Sequence, residues 1–301
     1  MFKEGIGEDS RFRGMHPLVN LIYYGFVIGI SMFTMDPYFI GITFFGAAFY
    51  GILLRGKEAL KTSLFFVVPI LFFTTLVNTF FTHNGETVLF FIRNNRITEE
   101  ALVFGIANAF MFSAVIIWFI SFNVIMSADK LIYIFGKIAP VLGLTLSMIF
   151  RFIPLLRERF KEIRMGQQCM GRNSEGKLIQ RVRQLCKEIS ILISWSLEAS
   201  IETSDSMEAR GYGLPHRTAF HLFKFSKTDK TLIGVISILG IIATVGCAMG
   251  RTTIQYYPVV VFGTWDLLKI VTFITFLTLI IIPIIYDFIG EKKWQRLMSK
   301  I

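Results

Sequence analysis

Cysteine and histidine are both scarce in this chain of 301 residues, which has three cysteines and four histidines. The cysteines are Cys169, Cys186 and Cys247. They show no CxxC spacing, so neither a disulfide framework nor a zinc-binding pattern is predicted. The histidines are scattered through predicted loops, and no Ser/His/Asp or Cys/His arrangement typical of nucleophilic catalysis is found. We therefore expect no catalytic site, no metal site and no cofactor in this chain.

A complete phosphate-binding loop is also missing. The run Gly171–Lys177 matches the pattern GxxxxGK, but Leu178 stands where the magnesium-binding Ser or Thr is required. An amphipathic helix, rather than a strand, is predicted before this run. We interpret the run as a glycine-rich turn between two helices, and we expect no ATP hydrolysis by the chain itself.

Long apolar segments occupy most of the remaining sequence. Hydrophobic residues make up 53% of the chain, and 32 residues are phenylalanine. A membrane-spanning helix needs about 20 mostly apolar residues, and the helical class follows because a span must satisfy its own backbone hydrogen bonds. The sequence therefore predicts an all-α, polytopic membrane protein with about six membrane helices. The predicted spans are Leu18–Met35, Tyr38–Leu54, Thr62–Phe81, Ala101–Met126, Leu232–Met249 and Leu267–Tyr286.

Charged residues are missing from the middle of the six predicted spans. Ion-coupled carriers usually have ionisable groups or broken helices at mid-membrane, so this absence argues against a secondary transporter. A membrane enzyme that acts on lipids would need acidic or histidine clusters near the interface. Asp266 and Asp287 are isolated in the sequence and resemble span-end residues. Both classes of protein are kept as alternatives.

The polar segment Ser147–Arg217 interrupts the apolar chain and contains two predicted amphipathic helices, because apolar residues recur every three or four positions. These residues are Ile149, Phe152, Leu156, Phe160 and Ile163 in the first helix, and Leu178, Val182, Leu185, Ile189, Leu192 and Trp195 in the second. The opposite faces are charged and include Glu188. An unbroken helix over Leu178–Arg210 would be about 50 Å long. Before the segment, Lys137 and Pro140 break an apolar run, which predicts a short helix followed by the start of the first long helix.

Basic residues are concentrated in the same region, since 15 of the 31 lysines and arginines lie between Arg151 and Lys230. Basic residues favour the cytoplasmic side of a membrane. The charge count therefore predicts that this region and both termini are cytoplasmic. The alternation of spans then places residues 82–100 on the opposite side, although Arg93 and Arg96 in this loop depart from the charge rule. We divide the chain into N-terminal membrane helices (1–126), a cytoplasmic region with the two long helices (127–230), and C-terminal membrane helices with a basic tail (231–301).

Each long helix is predicted to stop at an arginine beside a glycine, at Gly171-Arg172-Asn173 and at Ala209-Arg210-Gly211. Capping alone is one explanation, because a left-handed glycine or asparagine and an arginine in the last turn are common at helix ends. Docking is the other. An arginine fork at the tip of a long helix suits binding to a partner's carboxylates or backbone carbonyls.

Segments along almost the whole chain resemble the transmembrane T component of energy-coupling-factor (ECF) transporters, the family that includes the cobalt-transport permease. These segments are MHPLVNLIYY (Met15–Tyr24), THNGETVLFFI (Thr82–Ile92), ITEEALVFG (Ile97–Gly105), LTLSMIFRFIPLL (Leu144–Leu156) and MEARGYG (Met207–Gly213). The last is the most specific, since it is similar to the family's second Ala-Arg-Gly signature. The first signature departs from the family pattern, because Gly171 and Asn173 flank Arg172 where alanine and glycine are usual.

The resemblance implies an energy-coupling subunit of an ABC-type importer rather than an enzyme. Two cytoplasmic ATPases, which would hold ATP and magnesium, are expected to dock at Arg172 and Arg210, beside Gly171, Ala209 and Gly211. A membrane-embedded substrate-binding (S) subunit is the third expected partner, and it would release a vitamin or a metal ion inside a prokaryotic cell. The protein would lie in the cell membrane, and nucleic acid is not expected as a partner. An ordinary ABC permease with its own substrate pathway is the further alternative, although the coupling helices of such permeases are short.

Overall fold

The computed structural model describes residues 10–82, 84–92, 95–171, 178–214, 223–261 and 263–298. Within these residues the chain forms nine helices and one two-stranded antiparallel hairpin. The elements are α1 (Pro17–Phe33), α2 (Pro37–Arg55), α3 (Lys57–Phe81), β1 (Val88–Ile92), β2 (Asn95–Thr98), α4 (Glu99–Ile125), α5 (Ala128–Ile138), α6 (Pro140–Cys169), α7 (Leu178–Ala209), α8 (Lys227–Ala248) and α9 (Leu267–Met298).

The chain divides into two compact units, which we call the membrane unit and the central unit. The membrane unit contains Met1–Ser127 and Phe223–Ile301, and the central unit contains Ala128–Leu222. Helices α5, α6 and α7 belong to the central unit, and the other helices and the hairpin belong to the membrane unit. Each unit is described by itself below.

Five helices among the described residues are long and apolar enough to cross a membrane. They are α2, residues 61–81 of α3, α4, α8 and residues 267–291 of α9. Helix α1, the first predicted span, is apolar but has only 17 residues. Its length of about 26 Å is near the lower limit for a span. The prediction of a polytopic helical membrane protein is confirmed, with five helices long enough to span where about six were predicted.

Aromatic side chains from three helices fill the centre of the membrane unit. Tyr23 and Tyr24 of α1, Tyr50 of α2 and Trp118 of α4 are each at most 1% exposed. The Trp118 ring lies 6.2 Å, centroid to centroid, from each of the three tyrosine rings, edge-on to the two of α1. Such aromatic pairs stabilise a core by about 0.5–1.5 kcal/mol beyond the burial of apolar area. They hold α1 against α2 and α4.

Local chemistry fixes where several membrane helices begin. His16 precedes Pro17, and its Nδ1 accepts a hydrogen bond from Leu18 N at 3.3 Å. Asp36 precedes Pro37 in the same way, and its Oδ1 accepts from Tyr38 N at 3.0 Å. Proline suits the first helical position because the amide hydrogen that it lacks would have no partner there. The His-Pro and Asp-Pro pairs therefore act as N-terminal helix caps.

A break in the central unit separates α5 from α6. Helix α5 ends at Ile138 and α6 begins at Pro140, with Ala139 in an extended conformation between them. Proline cannot donate the backbone hydrogen bond that a continuous helix would need at this point. The predicted short helix followed by a long one is confirmed.

Residues 82–100, predicted as a loop, contain an element that the prediction missed. Strands β1 and β2 pair antiparallel, and the register places Phe91 opposite Arg96 and Ile92 opposite Asn95. In the sequence VLFFI of β1, four of the five residues have high strand propensity. That local preference is the physical reason for a hairpin in place of an irregular loop.

Candidate functional site at the ends of two long helices

The predicted pair of long helices is present in the central unit. Helix α6 has 30 residues and α7 has 32, which gives lengths of about 45 and 48 Å. The expected length of α7 was about 50 Å. Both helices end at the positions where the sequence predicts their tips, which are the candidate docking sites.

The end of α7 is closed by its own backbone. Gly211 N donates to Glu208 O at 2.9 Å, and Tyr212 N donates to Met207 O at 2.9 Å. Gly211 has a φ of 79°, the left-handed conformation that favours glycine. This pair of bonds is the Schellman motif, and it satisfies carbonyl groups that the helix end would otherwise leave free.

The end of α6 is built in the same way, as far as the described residues extend. Gly171 N donates to Gln168 O at 3.0 Å, and Gly171 has a φ of 77°. Arg172 and Asn173 lie outside the described residues. Gly171 therefore takes the left-handed position at the end of α6.

The two predicted arginines differ in their position relative to the left-handed glycine. Arg210 comes directly before Gly211, whereas Arg172 comes directly after Gly171. Arg210 and its neighbour Ala209 are exposed at the tip of α7. Among the described residues no ion pair involves Arg210. Its guanidinium group is therefore accessible to another molecule.

A cation–π contact joins α6 to α7 within the central unit. The Arg159 guanidinium carbon lies 5.0 Å from the centre of the Trp195 ring. The same guanidinium pairs with Glu162 at 2.7 Å on its own helix. Arginine stacks readily on aromatic faces, so the contact holds α6 against α7 at the position of these two residues.

The sequence analysis placed Glu188 on the water-facing side of α7, and the structure shows that this prediction is wrong. Its side chain is only 3% exposed, and Gln184 Nε2 donates to Glu188 Oε1 at 3.2 Å. A buried carboxylate needs such partners because burial removes its hydration. Helical periodicity alone could not identify this residue, since a charged residue beside Lys187 is normally assigned to the water-facing side of a helix.

The apolar stripe of α7 is largely exposed. Leu178, Val182 and Leu185 are 78%, 62% and 49% exposed. Ile189 and, on the same helix, Ile193, Leu197 and Ile201 are exposed as well. Isolated exposed apolar residues are common, but a stripe along one helix usually marks a surface that another molecule covers.

Two carboxylates of the membrane unit have buried partners that the sequence analysis did not foresee. Asp287, which we expected to be isolated, accepts from Ser10 Oγ at 2.9 Å, from Phe12 N at 2.9 Å and from Tyr50 OH at 3.3 Å. Asp36 pairs with Lys269 across the same unit. Asp287 and Ser10 are 277 positions apart, so no local pattern could have indicated their contact.

Asp266, the second residue expected to be isolated, also has a partner. Its Oδ2 lies 2.8 Å from Arg251 Nη1, in an ion pair that is partly exposed. Asp36, Asp266 and Asp287 are therefore all engaged within the chain, and among the described residues no group of acidic, histidine or cysteine side chains could bind a metal ion.

Comparison with known proteins places this architecture in a family. The family model of the CbiQ cobalt transport protein matches residues 9–222, more than two thirds of the chain. The chain belongs to this family. It is 31% identical over 210 residues to the energy-coupling factor transporter transmembrane protein EcfT of Streptococcus equi, covering 64% of this chain and 77% of that protein.

A second relative comes from a different bacterium. The EcfT protein of Thermotoga maritima is 30% identical over 219 residues, which cover 70% of this chain and 74% of that protein. The resemblance to ECF transmembrane components is therefore confirmed. The chain is a transmembrane component of a bacterial ECF-type transporter, it functions in a complex with other subunits, and it is not a catalytic enzyme.

Proposed function

We propose that this chain is the scaffold and coupling subunit of an ECF-type importer of a vitamin or a metal ion. It receives ATP-driven motion from two ABC-type ATPases and passes it to a membrane-embedded S subunit. The ATPases hold ATP and magnesium, and this chain holds no cofactor of its own. The central unit and both termini lie in the cytoplasm, which agrees with the concentration of basic residues there.

The exposed Arg210 at the tip of α7 is the observation that carries this proposal. An arginine in the last turn of a helix is often explained by capping. Here the backbone amides of Gly211 and Tyr212 already close the helix end. The donors of Arg210 are therefore left for a carboxylate or for carbonyl groups of an ATPase. Arg172 is proposed as the second docking arginine, with Gly171, Ala209 and Gly211 shaping the two tips.

The exposed apolar stripe of α7 supports the second half of the proposal. A cytoplasmic helix cannot leave Leu178, Val182 and Leu185 in water without cost, since each buried aliphatic side chain contributes about 1.5–3 kcal/mol relative to exposure. A membrane-embedded S subunit has an apolar surface that could cover them. Helices α6 and α7, which the contact of Arg159 with Trp195 joins, then transmit motion between the ATPase tips and that surface.

The docking role is tested by Arg210→Ala in the complete transporter. Loss of a charge-assisted contact that leaves a partner carboxylate unpaired costs about 2–5 kcal/mol, so we expect weaker co-purification of the ATPases and loss of uptake. Arg210→Lys should retain only part of the ATPase co-purification and uptake, because lysine lacks the planar fork of the guanidinium group. The double variant with Arg172→Ala should assemble less well than either single variant.

Arg157→Ala is the matched control, because Arg157 is exposed on α6 and lies well before the end of that helix at Cys169. It removes the same charge and should leave assembly and uptake near normal. Full assembly and full uptake with Arg210→Ala would show that Arg210 only caps the helix, and the docking proposal would be wrong.

A further inference from the structure

The β1–β2 hairpin is firmly attached to the membrane unit at its base. It connects α3, which ends at Phe81, to α4, which begins at Glu99. Thr87 Oγ1 donates to Glu100 Oε1 at 2.6 Å, and Glu99 N donates to Thr87 O at 3.1 Å. Strand β2 packs against α3 and α4, and its Ile97 is only 2% exposed. Because both flanking helices are membrane spans, the hairpin lies where those spans meet the membrane surface.

The outer strand, β1, is apolar along its whole length, and those of its side chains that the structure describes are exposed. Its sequence is VLFFI, and Leu89 and Phe91 are 51% and 68% exposed. One edge of β1 pairs with β2, and no strand among the described residues pairs with the other edge. In water, an exposed apolar edge strand of this kind is prone to aggregation. Its side chains therefore need a covering surface.

We propose that this hairpin is an interfacial membrane anchor that inserts Leu89 and Phe91 among the lipid acyl chains just below the headgroups. The last residues of α3 point to lipid as the covering surface, since Phe80 and Phe81 are 40% and 79% exposed on a membrane span that leads directly into the hairpin. The apolar surface of the spans thus continues into β1.

The charge and the backbone hydrogen bonding of the hairpin limit how deeply it inserts into the bilayer. Arg96 is exposed and stands opposite Phe91 in the register, so the two side chains lie on the same face of the hairpin. A guanidinium group beside an inserted aromatic ring suits a lipid phosphate. Deeper insertion is disfavoured, because an open strand edge does not occur in the hydrocarbon region, where its amides would have no partner.

A strand from a partner subunit is the rival covering surface, and the shape of β1 argues against it. The pairing of β1 with β2 is irregular between Val88 and Phe90. A bulge of this type twists a strand and is one of the features by which proteins prevent further edge pairing. A lipid surface requires no regular edge, so it fits the observed strand better.

Tryptophan quenching in lipid vesicles tests the proposal. Phe91→Trp keeps an aromatic side chain, and its added fluorescence is obtained by subtracting the emission of the parent chain. The chain is reconstituted, alone and as the complete transporter, in phosphatidylcholine brominated either near the headgroup or near the ends of the acyl chains. We expect strong quenching by bromine near the headgroup, weaker quenching by bromine at the chain ends, and little quenching by aqueous iodide.

Glu86→Trp is the matched control, because Glu86 is exposed just before β1 and is not part of the inserted face. Its added tryptophan should be quenched by iodide and little by brominated lipid. If the tryptophan of Phe91→Trp behaves like this control, the hairpin projects into water and the proposal is wrong. If lipid quenching is lost in the complete transporter, a subunit covers β1, and the proposal is wrong as well.

Discussion

Asp36 and Lys269 form a buried ion pair in which Asp36 Oδ2 and Lys269 Nζ are 2.5 Å apart. The two side chains are 1% and 5% exposed. Asp36 lies in the turn before α2, and Lys269 lies in the first turn of α9. The backbone amides of Met35 and Asp36 also donate to Thr252 O, at 3.0 and 2.9 Å. The turn between α1 and α2 is thus bound both to α9 and to the segment that precedes it.

Removal of one partner of this pair should strongly destabilise the chain, because the other charge stays buried without compensation, at a cost of about 3–5 kcal/mol. Asp36→Asn is the informative variant, since asparagine caps a helix as well as aspartate does and only the charge is lost. Lys269→Met removes the other charge. We expect a lower midpoint of thermal unfolding for each purified variant, and a smaller loss in the double variant than the two single losses combined.

The exposed pair Arg251–Asp266 provides the control, because its atoms are at a similar distance, 2.8 Å, but its side chains are 39% and 51% exposed. Asp266→Asn should cost less than about 1 kcal/mol, as is usual for surface pairs. Equal losses for Asp36→Asn and Asp266→Asn would contradict the conclusion that burial makes the Asp36 pair important.

The sequence was sufficient to predict those features of the fold that depend on local patterns. The apolar runs indicated α2, α3, α4, α8 and α9 because a membrane span needs a long apolar segment. Pro140 indicated the break between α5 and α6, since proline cannot donate a helical hydrogen bond. The glycines at the ends of α6 and α7 were predictable because a left-handed glycine commonly closes a helix.

Contacts between distant residues were not predictable in this way. Asp287 reads as an isolated acidic residue because its donors, Ser10 and Phe12, are at the other end of the sequence. Glu188 reads as a surface residue, although its side chain is only 3% exposed. Periodicity reports which face of one helix is apolar, but it contains no information about which element covers that face.

Two native cysteines allow the proposed topology to be tested with little engineering. Cys169 and Cys186 are exposed on the central unit, which we place in the cytoplasm from its basic charge. In a Cys247→Ala background, a membrane-impermeant maleimide should not label the chain in intact cells and should label it after permeabilisation. Labelling of Cys169 or Cys186 in intact cells would refute the topology.

The matching positive control is an engineered cysteine on the opposite side of the membrane. Thr253 is exposed in the segment between α8 and α9, which the same charge count places outside. Thr253→Cys should be labelled in intact cells. A chain in which Thr253→Cys is protected and the central cysteines are labelled would have the inverse orientation.

Tyr256, in the same segment between α8 and α9, is held in its neutral form by its surroundings. Its hydroxyl donates to Met35 O at 2.6 Å, and the side chain is 5% exposed. Burial, with a smaller contribution from the negative charge of Asp36, raises the pKa of Tyr256 from 10.0 to about 12. The phenolate is disfavoured there because burial removes its hydration.

The raised pKa of Tyr256 predicts a loss of stability at high pH. Below pH 10 the phenol is neutral in both the folded and the unfolded chain, so its full contribution is present. As the pH rises from 10 towards 12, the unfolded chain releases this proton first, and stability falls.

Tyr256→Phe lacks the titrating group and also the hydrogen bond to Met35, which contributes about 0.5–1.5 kcal/mol at neutral pH. The wild-type chain should therefore unfold at a higher temperature than Tyr256→Phe at neutral pH, and this advantage should shrink above pH 10. All other titrating groups are shared by the two chains, so an advantage that stays constant up to pH 12 would show that Tyr256 does not have the raised pKa.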